Sequence, residues 1–457
     1  MRSTRRTRTT ARSVIAVVSL GLLAGSLTAC GSAAREDTST EKSGTVTWWG
    51  WTPELSVAPQ YIEKFNEEFP DITVKYQQIP IDGWEAKLRP ALASNTGPDV
   101  FGLAPGAMFE QFGRFGIDLT SQAEKALGSD WKSRLAPIGV AGLTDKNGKL
   151  RALSAGSTFA GPVWINQELF TKYDLTPPRD FDEWARVCAA FAQHDVQCFT
   201  QGVAQTAFNQ DTLQAIADTI NPGLYTKATR GEARWSDPDL VAALTTWKSM
   251  FDNGIMQPGA LGVQQYPDAN NQFMSQKAAM VMMGTWYMQY TRTEGMTPSI
   301  QAAGVADPKP FAAVPIPFPA ARTGGTPGAL FGDSDYGLAV NAKSTNRSAA
   351  ITFATWMATA SAGQQVVANA LNDIASLSGV EPQWDKIELV NADVQRPALQ
   401  EVIAASASVT ENRLLSNAAL ATAIGVATTT VAAGDASPAQ AAATLQSAAE
   451  AAGVAFK

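Results

Sequence analysis

Tryptophan and carboxylate side chains recur where the short apolar runs of this chain stop. Thr45-Val46-Thr47-Trp48-Trp49-Gly50-Trp51-Thr52-Pro53 holds three indoles within four residues. Asp82 follows a second run, and Trp286 and Tyr287 stand just beyond Ala278–Met283. Gly332-Asp333-Ser334-Asp335-Tyr336-Gly337 precedes a further one. An indole offers a flat apolar wall with one N–H at its edge, and a carboxylate accepts strong hydrogen bonds. Such groups, brought together, would hold a small molecule that has both apolar faces and polar edges. The competing reading is structural for each of them: a core tryptophan, or an Asp-rich turn. Two carboxylates could instead flank a glycosidic bond and hydrolyse it, which leaves an exported glycosidase as an alternative. No Gly-x-Ser-x-Gly turn, zinc-protease helix motif or phosphate-cradling Gly loop is present in the sequence. The single histidine, His194, argues against a metal site or histidine-based catalysis, and no cofactor is expected.

The elements around these residues alternate between strand and helix. Thr45 to Trp49 reads as a strand that ends at Gly50 and Pro53. Its side chains alternate, so Trp48 and Trp49 cannot enter one core together. Gln60–Phe69 places Tyr61, Ile62, Phe65 and Phe69 on one helical face, and Ile72–Ile79 reads as the next strand. Trp84–Ser94 is expected to be a helix, and Asn95–Gly102 a turn feeding a short strand. Helices are also expected over 181–191, 240–251 and 343–360 and through the Ala-rich tail from Glu411, with strands over 278–283 and 338–341. The class is therefore α/β, and ligands in open α/β sheets sit outside the carboxyl ends of strands.

The N-terminus has the form of an export signal. Five arginines and no acid precede an apolar run, Val14–Leu27, which is too short to span a bilayer comfortably. It closes with Leu27-Thr28-Ala29-Cys30, which resembles the bacterial lipoprotein signal, in which the cysteine becomes the lipidated N-terminus. The expectation is a signal peptide over 1–29, then Cys30 and a disordered tether over 30–43. An oxidising compartment would favour a disulfide between Cys188 and Cys198, the alternative being two buried thiols. Net charge is −7, and −12 without the five leading arginines, so nucleic acid is not an expected partner.

A broader resemblance emerges from the order of segments. The aromatic first strand, "FNEEFPDITVKY", "LASNTGPDVFGL", "VWINQELFTKYDLTPPRDFDEW" and "FMSQKAAMVMMGTWY" follow one another. "VPIPFPA" and "GLAVNAKSTNRSAAITFATWM" complete the series. This is similar to the family 1 extracellular solute-binding proteins, the sugar-capturing subunits of bacterial ABC importers. Ile165 and Ser275-Gln276 depart from the family pattern, and Trp164 is expected to replace the aromatic contact usual at position 165.

The resemblance implies a two-lobed periplasmic-binding-protein-like fold with a ligand cleft and hinge between the lobes. The expected lobes are 44–155 plus 306–377, and 156–305 plus 378–457. It implies a carbohydrate ligand, ABC permease subunits as partners, a monomer held at the outer face of the membrane by its lipid, and no catalysis. The expected ligand contacts are Trp49, Trp51, Asp82, Trp164, Trp286, Tyr287, Asp333, Asp335, Tyr336 and Arg413. Trp286 is foremost among them, and Arg413 is expected to enter the cleft from the start of the tail helices. A non-sugar polar solute such as a peptide or polyamine is the remaining alternative.

Overall fold

The computed structural model describes residues 36–456. The expected signal peptide and the lipidation residue Cys30 lie outside them.

The first sheet begins with Gly44–Gly50 (β1). Helix Ala58–Glu68 connects it to Ile72–Gln78 (β2), which pairs with it in parallel, Trp48 opposite Tyr76. Val100–Leu103 (β3) pairs with the other edge of β1, also in parallel. Val46 and Trp48 point to one face and are fully buried, as period-2 alternation requires. The Trp48 ring meets Tyr76 at 4.3 Å and Phe353 at 5.2 Å. Tyr61 and Phe65 from the first helix fill the same core, Phe65 lying 5.3 Å from Trp356.

Leu153–Ser154 (β4), Gly156–Ala160 (β5) and Val163–Asn166 (β6) then carry the chain out of the first sheet and into a second. That second sheet adds Gln197–Thr200 (β7), Ala278–Met282 (β8) and Ala313–Ile316 (β9), in the order β7-β8-β6-β9. Phe331–Ser334 (β10) and Gly337–Val340 (β11) lead back. The first sheet is thus β2-β1-β3-β11-β4. β10 and Ile374–Ala375 (β12) flank β5 in a small third sheet, β10-β5-β12. Its strands are the crossing segments between the two halves of a two-lobed α/β fold. Ser154, Ser334 and Ser376 tie these segments together through buried hydroxyl bonds of 2.7 and 2.9 Å. The expected return to the first lobe at residue 306 needs correction. Val314 and Pro315 pair with Ile165 and Trp164 in the second sheet, so the return falls in β10 and β11.

Most expected elements are present within a few residues. Helix Phe181–Ala192 is capped by Asp180, whose carboxylate accepts from the Glu183 amide at 2.8 Å. Cys188 and Cys198 form a disulfide that closes the turn after this helix. Changing both to serine is expected to lower unfolding stability by about 2–3 kcal/mol in denaturant titration. A midpoint unchanged from the wild type would show that the bond constrains little.

Two expectations fail at helix starts. The helix expected from Lys343 begins at Arg347, because Asn341–Asn346 forms a turn around the buried Asp99 carboxylate. The tether expected over 30–43 is docked from Asp37 onward. Asp37 accepts from the Ser348 amide at 2.9 Å and hydroxyl at 2.7 Å, at the first turn of helix Arg347–Thr359. Helix N-termini leave amides unpaired, and a carboxylate there is doubly favoured by hydrogen bonding and by the dipole. Burial opposes its charge, yet hydrogen bonds from Ser348 and Ser39 bring the Asp37 carboxyl down to about 2. No helix among the described residues is long and apolar enough to cross a membrane.

Candidate functional site

Where β1 ends, Trp51 leaves the sheet and lies half-buried over bare backbone. A Cβ on Gly102 would stand 3.1 Å from its ring, so glycine provides the floor. Trp84 meets the same ring edge-on at 5.3 Å. Burial raises the Asp335 pKa to about 6, while the Trp51 indole and the Thr158 hydroxyl lie beside its carboxyl and favour the charged form. Asp335 follows β10, and its amide donates to the Gly156 carbonyl at 3.1 Å, so the crossing sheet places this carboxyl. Glu54, three residues beyond Trp51, accepts from Gln78 at 2.9 Å, and burial raises its pKa.

The second lobe supplies a matching wall. β8 ends at Met282, and Trp286 follows in a short 3-10 turn, Thr285–Thr291. Its ring folds back over Gly284, where a Cβ would fall 2.0 Å from the indole. Only glycine allows that approach. Gly284→Ala is therefore expected to push the ring out of place and weaken ligand binding at least about tenfold by calorimetry. An unaltered affinity would show that the position of the ring is unimportant. The Trp286 N–H donates to the Tyr266 hydroxyl at 3.1 Å, and Phe208 stands 6.4 Å away. The Arg413 guanidinium lies 4.6 Å from the Trp286 ring centre, within cation–π range. Arg413 is held by Asp211 through bonds of 2.9, 3.1 and 2.9 Å, a two-pronged grip that fixes its plane. Burial works against the guanidinium charge, and the Asp211 carboxylate more than restores it.

The two walls are close enough to interact. Asp335 feels the charge of Arg413, and Tyr266 feels both Asp335 and Glu54. Asp82 on the first lobe accepts from Gln205 on the second at 2.9 Å, and Gln60 donates to Glu294 at 2.8 Å. The groove is therefore spanned by direct hydrogen bonds between the lobes.

Behind Asp335 lies Asp373, 1% exposed, and neither of its carboxyl oxygens has a hydrogen-bond donor among the described residues. Two carboxylates in contact cannot both ionise, and burial raises both pKa values, so the pair keeps a proton above the ordinary carboxyl range. The sign of the resulting linkage is fixed. The folded state binds more protons than the unfolded chain, so the pair's contribution is intact below the ordinary carboxyl range. It is lost as pH rises through the raised folded values. Asp218, which burial lifts to about 7, adds to the same slope. Asp335→Asn should flatten the decline in melting temperature between about pH 5 and pH 7.5. A decline as steep as that of the wild type would count against the shared proton.

Of the expected contacts, Trp51, Trp286, Asp335 and Arg413 converge here, and Asp82 lies at the rim. The others need correction. Trp164 is 0% exposed, and its N–H donates to the Gly284 carbonyl at 3.1 Å. β6 is an interior strand, so alternation sends Val163 and Ile165 to one core and Trp164 to another. Tyr287 is 0% exposed and donates to Asn270 at 2.9 Å. Tyr336 is buried beside Trp48. Asp333 is also buried, and its oxygens are taken by the Asn412 side chain and by the Arg413 and Leu414 amides, at 2.7, 2.9 and 2.7 Å. Burial still lifts it to about 6. Because Asp333 binds those amides, Arg413 lies in an irregular stretch, and the tail helix begins only at Ala418. Trp49 is on the far face of β1 from Trp48, where it packs half-buried on the first-lobe core with the Lys87 ammonium 5.1 Å from its ring.

Phe208, Asp211, Thr158, Tyr266 and Asp373 are not among the sequence-based candidates. Glu54 had a readable signal, since it closes the Trp-Thr-Pro-Glu turn after β1.

The family model for bacterial extracellular solute-binding proteins matches residues 49–364, and the chain belongs to that family. Solved structures share the fold at low identity. An ABC substrate-binding protein from Listeria monocytogenes, in complex with cycloalternan, is 19% identical with a TM-score of 0.69, covering 91% of this chain and 100% of its own. The GacH receptor of Streptomyces glaucescens, solved unliganded and with acarbose, is 21% identical with a TM-score of 0.67, covering 91% and 100%. Maltose-bound MalE3 of T. maritima is 17% identical with a TM-score of 0.69, covering 89% and 99%. No curated protein matches the chain.

Proposed function

We propose that this protein is the extracellular, lipid-anchored substrate-binding subunit of an ABC importer, and that it captures an oligosaccharide and passes it unchanged to a membrane permease. The observation that supports this reading is Arg413, stacked 4.6 Å from the Trp286 ring centre and within charge range of Asp335 beside Trp51. A sugar ring has apolar C–H faces for the indoles and hydroxyl edges for the carboxyls and the guanidinium. The structural relatives named above with cycloalternan, acarbose and maltose are in keeping with a carbohydrate ligand. The three crossing segments would act as the hinge, and the ligand would favour the closed form through its greater affinity for it. The protein works as a monomer, with Cys30 as its lipidated N-terminus.

A thermal-shift screen over mono- and oligosaccharides tests the ligand class. A ligand at about 100 times its Kd should stabilise the protein by about 2.7 kcal/mol. A shift produced only by peptides or polyamines would replace the sugar with another polar solute. Mass spectrometry of the membrane-associated protein tests the anchor: the expected N-terminus is a diacylated Cys30, and Cys30→Ser should release the protein.

A further inference from the structure

A second space between the lobes differs chemically from the aromatic site. It is a groove of about 790 Å³ between the lobes, bounded by segments 105–114 and 141–151 on one side and 226–230 and 412–420 on the other. Phe109 is the sole aromatic residue in its lining, so the groove is not built for ring stacking. Asn147 offers its side-chain amide, while those of Asn412 and Asn417 are bonded to Asp333 and to the Ala452 carbonyl. Four cations face it, Arg114, Lys146, Arg151 and Arg230, in a chain whose net charge is −7.

The acids in the lining do not cancel these cations. Asp145 is committed to Arg151 at 2.7 Å. Asp333 is occupied by its three donors from 412–414. That leaves Arg114, Lys146 and Arg230 facing Glu110, and among the described residues none of these three cations forms an ion pair within 4.0 Å. Glu411, outside the lining, lies within charge range of Arg230 but is drawn toward Lys227 as well. A concave surface with an excess of one charge focuses its field on whatever enters. The groove and the aromatic site share one short segment of chain. Asn412 lines the groove, and Arg413, the next residue, lies over Trp286.

We infer that this groove is a second compartment of the ligand site and takes a carboxylate, so that the preferred ligand is an acidic, uronate-bearing oligosaccharide. This inference rests on the carbohydrate reading of the aromatic site. Guanidinium groups suit the role, since they bind carboxylates in a planar, two-pronged geometry. One sugar ring stacks on the indoles, while the acidic residue reaches past Asn412 toward Arg230 and Arg114.

The test is calorimetric titration with an aldotetraouronic acid and with trigalacturonate, each beside its carboxyl-reduced form. An acid should bind at least about tenfold more tightly than its reduced counterpart. The double variant Arg114→Gln/Arg230→Gln should bring the two forms to within about twofold, chiefly by weakening the acid, with the melting temperature unchanged. The inference is overturned if the reduced forms bind as well, if the double variant keeps the preference, or if neutral oligosaccharides bind and neither acid does. In that last case the carbohydrate reading still stands. If no carbohydrate binds at all, that reading falls and takes this inference with it.

Discussion

Trp286→Ala is expected to raise the Kd for the captured sugar at least about 100-fold, a loss of about 2.7 kcal/mol. The ring contributes in three ways. It provides the stacking face, it carries the Arg413 guanidinium 4.6 Å from its centre, and it holds the Tyr266 hydroxyl at 3.1 Å. Alanine removes all three at once. The fold should survive, because the ring is only half-buried at the groove wall and leaves no large sealed cavity. The ligand-induced thermal shift should vanish while the unliganded melting temperature stays within a few degrees. Undiminished binding by this variant would remove Trp286 from the site.

Asp333→Ala should act differently, lowering stability and affinity together. Asp333 commits its oxygens to protein donors, and it fixes the segment that carries Arg413. Its loss leaves the Arg413 and Leu414 amides and the Asn412 side chain without an acceptor. Each buried donor left unpaired costs about 1–3 kcal/mol, partly relieved if the segment loosens into water. The expected loss is about 3–5 kcal/mol of unfolding stability, with affinity about tenfold weaker because Arg413 is no longer positioned. Asp82→Asn is a useful control, since Asp82 lies at the rim with a single bond to Gln205 and its variant should leave stability nearly unchanged. If Asp333→Ala melts and binds like the wild type, the anchoring role is wrong.

The contrast between Asp333 and Asp335 shows what the sequence could reveal. Both belong to one turn motif, two residues apart, and both looked like hydrogen-bonding groups for a ligand. Pairing of β10 with β5 buries Asp333 against a segment about 80 residues away, while Asp335 emerges beyond the strand beside Trp51. Nothing local distinguishes them. Trp51 and Trp286 are legible because strand ends point to positions outside the sheets, and Arg413 follows from the family resemblance alone. Trp164 and Tyr287 misled because interior strands and the turns that follow them are covered on every side, so an aromatic there has several cores to enter. Phe208 and Asp211 come from the first turns of helix Thr206–Ile220, far in sequence from every other member of the site. Their place depends on how the second lobe packs, which no short pattern encodes. The docking of Asp37 on helix Arg347–Thr359 was hidden for the same reason, since a polar stretch without periodicity can still cap a distant helix.

Capture without conversion can be tested directly by dialysing the protein to equilibrium against a sugar found in the thermal screen and weighing the sugar recovered from it. The outcome expected is one oligosaccharide retained per chain and released on denaturation at its original mass. Shortened chains would make the protein a hydrolase, and failure to retain any carbohydrate would remove the basis for the site described between Trp51 and Trp286.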